Sequence, residues 1–514
     1  MREKSRLQNS ILNFVSGMGY RGLTLVTAFV VRTVFVRCLN AEYLGINGLY
    51  SNILSMLSLA ELGFGTAMVY SMYQPLADKD SQKLQQLMKL YQKVYTIIGT
   101  VILFLGLCLV PFLDLLIKDQ PDVEGLTFYY ILFLLNSVVS YWFFAYRNAL
   151  LQADQKSYVV TNYNSIFNLI KSVIQILILI FFHSFTLYLI TQIICTVGQN
   201  IAVAVKVDVL YPFMKEKNKE DLPKEEKKKI FKDVKALMLS KISHVALNST
   251  DNIIISAFVG LKWVGLLSNF VLISDAITSI LCQITNSITA SLGNFFAKED
   301  KNEGYKLFCR VDFLNFWLYG FSTVALITLL NPFITIWIGE KYTLSQGAVV
   351  WLSINFLVAG FMNTLFTFRS TLGLFTQGQY RPLIVTAINI GLSIGMSYKW
   401  GITGVLAATF ISRLCVNLWY DPWLIHKKGF YTSVKPYFKN ILLRIIVLVM
   451  VTAGMQKISG IVFRSGISII NFVVMVLFTV VLPNGIFILV FHGKEEFKYF
   501  FNLIMGLKNK LKKV

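Results

Sequence analysis

Long stretches without a formal charge set the tightest limit on how this chain can fold. Ile97–Phe112, Ser172–Phe182 and Ile467–Val481 carry none. Many apolar segments reach the roughly 20 residues a helix needs to cross a hydrocarbon core. The runs are continuous rather than alternating, which fits helices and not a barrel. Only 15% of the 514 residues are charged and 55% are hydrophobic. Soluble domains carry about 25% charged residues. The expected fold class is therefore an all-α integral membrane protein of about fourteen helices. The spans fall over 11–36, 44–73, 91–117, 126–150, 159–182, 186–211, 236–259, 263–296, 307–338, 346–373, 382–398, 402–425, 440–462 and 466–491.

Loop charge tests this count. With the N-terminus inside, the inside loops are basic. Lys79, Lys83, Lys89 and Lys93 follow the second span, and a Lys-rich stretch from Lys215 to Lys235 follows the sixth. Lys298, Lys301, Lys306 and Arg310 follow the eighth, and Lys427, Lys428, Lys435 and Lys439 the twelfth. The outside loops are short, and the third-to-fourth is acidic, with Asp114, Asp119, Asp122 and Glu124. This is the positive-inside pattern, and it puts both termini in the cytoplasm. It also accounts for the net charge of +21 without a nucleic-acid partner. The basic start, Met1–Arg6, precedes a segment long enough to stay in the membrane, so no cleaved signal peptide is expected. The six cysteines are dispersed, form no CxxC, and suggest neither disulfides nor a metal.

The chain also repeats itself. At a shift of 220, Tyr43-Leu44-Gly45-Ile46 falls on Trp263-Val264-Gly265-Leu266, Tyr50 on Phe270 and Asp80 on Asp300. At 222, Arg147 falls on Arg369, Gln155 on Gln377 and Tyr158 on Tyr380. The organisation read from this is an N-terminal six-helix bundle (1–211), a Lys-rich linker (212–235), a second six-helix bundle (236–425), and two extra spans with a basic tail (426–514). Parallel halves of this kind suit alternating access, in which two similar bundles rock about a central site.

An ionisable residue inside a span is costly, and by default marks function. Here most are cationic. Arg21 and Arg32 lie eleven residues apart, about three helical turns, and so share a face of the first span. Lys171 and Arg413 sit deep in the fifth and twelfth spans. Arg147 and Arg369 lie near the ends of the fourth and tenth, where lining a lumen and snorkelling to the interface are both open readings. These six are the candidates for binding an anion, Arg above all for phosphate. Glu61, His244, Asp251 and Asp275 are candidates for coupling to H+ or Na+, or for balancing the cations. His244 reads first as a hydrogen-bonded packing residue and second as a proton relay. Intramembrane amides such as Asn13, Asn164 and Asn168 serve either as sugar contacts or as glue between helices. Tyr141 and Trp142 read as interfacial belt residues. No catalytic constellation, metal site, cofactor motif or Walker sequence is present.

Several short motifs resemble the bacterial polysaccharide-unit flippases (Wzx-like polysaccharide transporters of the multidrug/oligosaccharidyl-lipid/polysaccharide exporter superfamily). They are Glu42-Tyr43-Leu44-Gly45-Ile46-Asn47-Gly48-Leu49-Tyr50, Glu61-Leu62-Gly63-Phe64-Gly65, Tyr146-Arg147-Asn148 with Ala153-Asp154-Gln155-Lys156, Asp251-Asn252-Ile253-Ile254-Ile255, and Phe368-Arg369 with Gly373-Leu374-Phe375. The resemblance spans nearly the whole chain. It implies a V-shaped, MATE-like fold and translocation of a polyprenyl-diphosphate-linked oligosaccharide across the bacterial cell membrane. It further implies work alongside a polysaccharide polymerase and chain-length machinery. The alternatives are a multidrug-type small-molecule exporter, which predicts an acid-rich cavity, and a lipid II flippase.

Overall fold

A computed structural model describes residues 6–61, 64–118, 123–215, 221–228, 230–232, 234, 249–296, 301–374, 377–378 and 380–511. The described residues are almost entirely helical, with no strand among them. Two compact units divide the chain, Met1–Gly265 and Leu266–Val514.

The first unit contains α1 (Arg6–Cys38), α2 (Ala41–Leu57), α3 (Phe64–Ala77), α4 (Ser81–Leu109), α5 (Leu126–Trp142), the short α6 (Asn148–Ala153), α7 (Ser157–Phe182) and α8 (Phe185–Leu210). Polar side chains start several of them. Asn40 accepts from the Glu42 and Tyr43 amides, Asp80 from Lys83 and Ser184 from Leu187. Each satisfies amides that a first turn leaves without partners. Helix α1 packs along α7, α7 on α8, α8 on α5 and α5 on α4. Asn13 ties α1 to the turn before α7, accepting from the Tyr158 amide at 2.6 Å and donating to the Gln155 carbonyl at 2.9 Å. At this position the amide is glue.

The repeat-related glycines meet within this unit. A Cβ on Gly45 would collide with the Leu261 carbonyl oxygen, and one on Gly265 with that of Ala41. Both positions need glycine because two backbones pass there without room for a side chain. The described part of the Lys-rich stretch docks on the start of α4. Leu222 and Ile230 are buried, Lys83 pairs with Glu226, and Asp221 pairs with Lys89 at 2.9 Å and Lys227 at 3.3 Å. Hydrogen bonds from those two lysines hold the Asp221 carboxyl below its ordinary value.

The second unit contains most of α9 (Leu261–Phe296), then α10 (Lys301–Ile338), α11 (Gln346–Thr371), α12 (Arg381–Leu424), α13 (Lys435–Val462), α14 (Ile469–Phe491) and α15 (Glu495–Leu511). Helix α10 is its hub, packing on α11, α13, α14 and α15. Phe308, Phe368, Ile425, Phe430 and Tyr437 form one apolar cluster across it. Arg444 of α13 donates to Asp312 of α10 at 2.5 Å, with both residues buried. The guanidinium also lies 5.3 Å from the Phe316 ring centre.

Ten described helices are long and apolar enough to cross a membrane, or eleven with the bent pair Leu126–Trp142 and Ala145–Ala153. The expected fourteen is not reached by this measure, for physical reasons. The second span breaks into the 17-residue α2 and the 14-residue α3. The eleventh and twelfth run together as one helix, broken at Gly401 with φ 53° and ψ −135°. Much of the seventh lies outside the described residues. The outer faces are greasy. The most apolar window of α14 has mean hydropathy 2.6 yet is only 22% buried, as a lipid-facing helix requires. Among the described residues no disulfide links the cysteines.

Removing one partner of the Arg444–Asp312 pair leaves a buried charge without compensation, at about 3–5 kcal/mol. Arg444→Ala should therefore lower the melting temperature in detergent markedly, and Asp312→Leu/Arg444→Met should recover most of the loss. A double variant no better than Arg444→Ala would refute the pairing.

Candidate functional site

Glu61 ends the 3-10 turn Ser58–Glu61 at the break in the second span. Its carboxylate accepts from Tyr95 at 2.6 Å on one oxygen and from Tyr141 at 2.9 Å on the other. Tyr91, one turn before Tyr95 on α4, donates to the Tyr95 hydroxyl at 2.9 Å. No described ion pair involves Glu61, so its balance is hydrogen bonding rather than a cation. Tyr141 is buried in this cluster and is not a belt residue.

The cluster walls a cavity of about 680 Å³ in the N-terminal unit. Polar side chains from four helices converge there, among them Asn148, Gln152, Thr196, Gln199 and Asn200. The exposed rings of Tyr70 and Tyr73 complete it, in edge contact with centres 6.0 Å apart. Glu61 is the sole charged residue among the described lining.

The predicted cations lie elsewhere. Arg21 on α1 is exposed, and Arg32 on the same helix is half-buried beside Tyr188 of α8. Lys171 on α7 is half-buried near Cys195. Arg147, in the turn between α5 and α6, forms an ion pair with Asp208 of α8 and donates to the Ala204 carbonyl at 3.2 Å. Arg369, at the end of α11, reaches Asp421 of α12 at 3.3 Å and donates to the Leu374 carbonyl at 2.9 Å. Arg381 meets the same Asp421 at 2.7 Å and stacks 4.1 Å from the Tyr420 ring centre. Arg413, on α12, is half-buried. Asp251 is half-buried and Asp275 exposed. His244 lies outside the described residues.

Sequence reasoning passed over Asp208 and Asp421, which both sit near span ends. Each half has an Arg closing one helix and an Asp on a later helix to receive it, so Arg147–Asp208 recurs as Arg369–Asp421. Tyr91 and Tyr95 were passed over, and Tyr141 was placed in the interfacial belt.

With this geometry in place, known proteins supply the family. A sequence profile described as "Polysaccharide biosynthesis protein" matches residues 7–289, more than half of the chain. The chain belongs to that family. No curated protein matches its sequence. Among solved structures, the lipid II flippase MurJ in an inward closed conformation aligns with a TM-score of 0.66 at 16% identity, over 95% of this chain and 99% of MurJ. An inward-facing multidrug resistance MATE family transporter of the MOP superfamily aligns at 0.57 and 16% identity, over 76% of this chain and 91% of its own. A MOP superfamily transporter from Pyrococcus furiosus aligns at 0.52 and 13% identity, over 83% and 97%. These likenesses establish the fold. This polysaccharide biosynthesis protein is a multi-pass membrane protein of MurJ- and MATE-like architecture.

The two Arg–Asp corners differ in one respect that can be measured. Asp421 keeps Arg381 when Arg369 is lost, whereas Asp208 has no second basic partner among the described ion pairs. Surface pairs contribute about 0–1 kcal/mol and buried ones about 3–5 kcal/mol on losing a partner. Arg147→Ala should therefore reduce thermal stability more than Arg369→Ala, and the reverse order would contradict the arrangement.

Proposed function

We propose that this protein flips polyprenyl-diphosphate-linked oligosaccharides from the inner to the outer leaflet of the bacterial cell membrane, supplying units for a surface polysaccharide. The observation that carries the reading is membership of a polysaccharide biosynthesis family by a chain with a transporter fold. A glycosylated diphosphate cannot cross hydrocarbon unaided, because stripping water from its charges costs many kcal/mol. A passage lined by protein replaces that water, and no bond is made or broken. In this reading the protein is a transporter rather than an enzyme, and alternating access moves the head group.

The cations assigned to the diphosphate are Arg21, Arg32, Lys171 and Arg413. Arg147 and Arg369 are assigned a structural role, since each already faces an aspartate. Coupling to H+ or Na+ falls to Glu61, His244, Asp251 or Asp275. Both termini lie in the cytoplasm, as the loop charges indicate. A polymerase with its chain-length machinery would receive the flipped units.

A second reading, export of a small organic cation, draws on Glu61 being the sole charge among the described lining of the cavity. It predicts proton-driven uptake of tetraphenylphosphonium by inverted vesicles. The flippase reading predicts none.

Deleting the gene should make lipid-linked oligosaccharides accumulate on the cytoplasmic leaflet and deplete the surface glycan. Normal levels of both would overturn the flippase reading. Arg21→Ala and Lys171→Ala should each cut complementation of that deletion at least tenfold with membrane abundance unchanged. Full complementation by both would remove the cationic phosphate site.

A further inference from the structure

The cavity beside Glu61 has the wrong chemistry for a diphosphate. Its described walls carry one carboxylate and no lysine or arginine. An anionic group there would face repulsion with no compensating charge. Its volume, about 680 Å³, lies within the roughly 300–1,000 Å³ range of small-molecule sites.

What the walls do offer is matched to hydroxyl groups. Asn148, Gln152, Gln199 and Asn200 each present an amide, with two donors and an acceptor oxygen within one flat group. A sugar ring carries hydroxyls that both donate and accept, so this mixture pairs with it whichever way each hydroxyl turns. Tyr70 and Tyr73 supply exposed ring faces, 73% and 49% accessible, against which the C–H face of a sugar can lie. Glu61 is held in place by Tyr95 and Tyr141, one on each oxygen. A carboxylate bonded on both sides can still accept from a hydroxyl through its remaining lone pairs.

We propose that this cavity is a saccharide subsite that takes an uncharged sugar of the lipid-linked oligosaccharide, with the diphosphate held outside it. Glu61 then acts as a specificity residue that disfavours acidic sugars. The proposal rests on the flippase reading and adds to it where the glycan, rather than the phosphate, is recognised.

The test uses the full chain in nanodiscs and two probes: undecaprenyl diphosphate, and the undecaprenyl-diphosphate-linked oligosaccharides extracted from the source cells. The wild type should bind the glycolipid at least tenfold more tightly than the bare diphosphate lipid. Removing two amides that bond the sugar, Asn148→Ala/Gln199→Ala should reduce that preference about tenfold. Binding of undecaprenyl diphosphate should stay unchanged, which also reports that the variant is folded. Gln152→Ala, at an exposed side chain, should lower the preference by a smaller factor. The proposal is overturned if both variants keep the full preference, or if both lose the two lipids in equal measure. It is also overturned if the wild type binds both lipids equally, an outcome that leaves the flippase reading standing. Binding of neither lipid would remove that reading and the subsite with it.

Discussion

Hydrocarbon offers no partner to an ionised group, so any charge placed in a span must be met by the protein itself. The internal pairs of this protein follow from that rule. Asp208 receives Arg147, Asp421 receives Arg369 and Arg381, and Asp312 receives Arg444. Each pair joins two elements distant in sequence, so each closes a long loop while neutralising a charge. The first two occupy equivalent corners of the repeat, where an arginine at the end of one helix reaches an aspartate on a later one. The third fixes α13 to α10, the hub of its unit. Arginine suits all three places because its planar fork can bond a carboxylate and a carbonyl together, as Arg369 does.

Glu61 obeys the same rule by another route. It is satisfied by two phenol donors in place of a cation. The charge therefore stays in the cavity while its hydrogen-bond demand is met. A carboxylate paired with arginine would be electrically silent, whereas this one still repels anions. In the proposed transport cycle the chemistry is divided: uncharged sugar is assigned to the tyrosine and amide walls, and diphosphate to cations on α1, α7 and α12.

The helices were legible in the sequence because lipid imposes a requirement that hydropathy measures directly. The six-residue α6, the division of the second span into α2 and α3, and the break at Gly401 were less so. Hydropathy averages over about twenty residues and does not register a turn inside an apolar segment. Arg147 and Arg369 were found by the repeat, but their aspartates were not. Asp208 and Asp421 are related by a shift of 213, not 222, so the offset that aligned the arginines missed them. Tyr141 was read as a belt residue because its position near a span end was visible, while the direction of its side chain toward Glu61 was not.

The repeat also shows where the halves have diverged. At the 220-residue shift, Glu61 falls on Leu281, Tyr91 on Val311 and Tyr95 on Asn315. All three counterparts are buried. Asn315 spends its amide on the Gly360 carbonyl and the Thr364 hydroxyl, both at 2.6 Å. Positions that hold a carboxylate and phenols around open volume in the first half thus hold close-packed apolar groups and a helix-linking amide in the second. An inherited framework needs the Arg–Asp corner in both halves, because both must keep those helices together in lipid. A ligand site needs to persist in only one. The corner recurs and the carboxylate–tyrosine cluster does not, which is the distribution expected if the corner serves folding and the cluster serves a ligand.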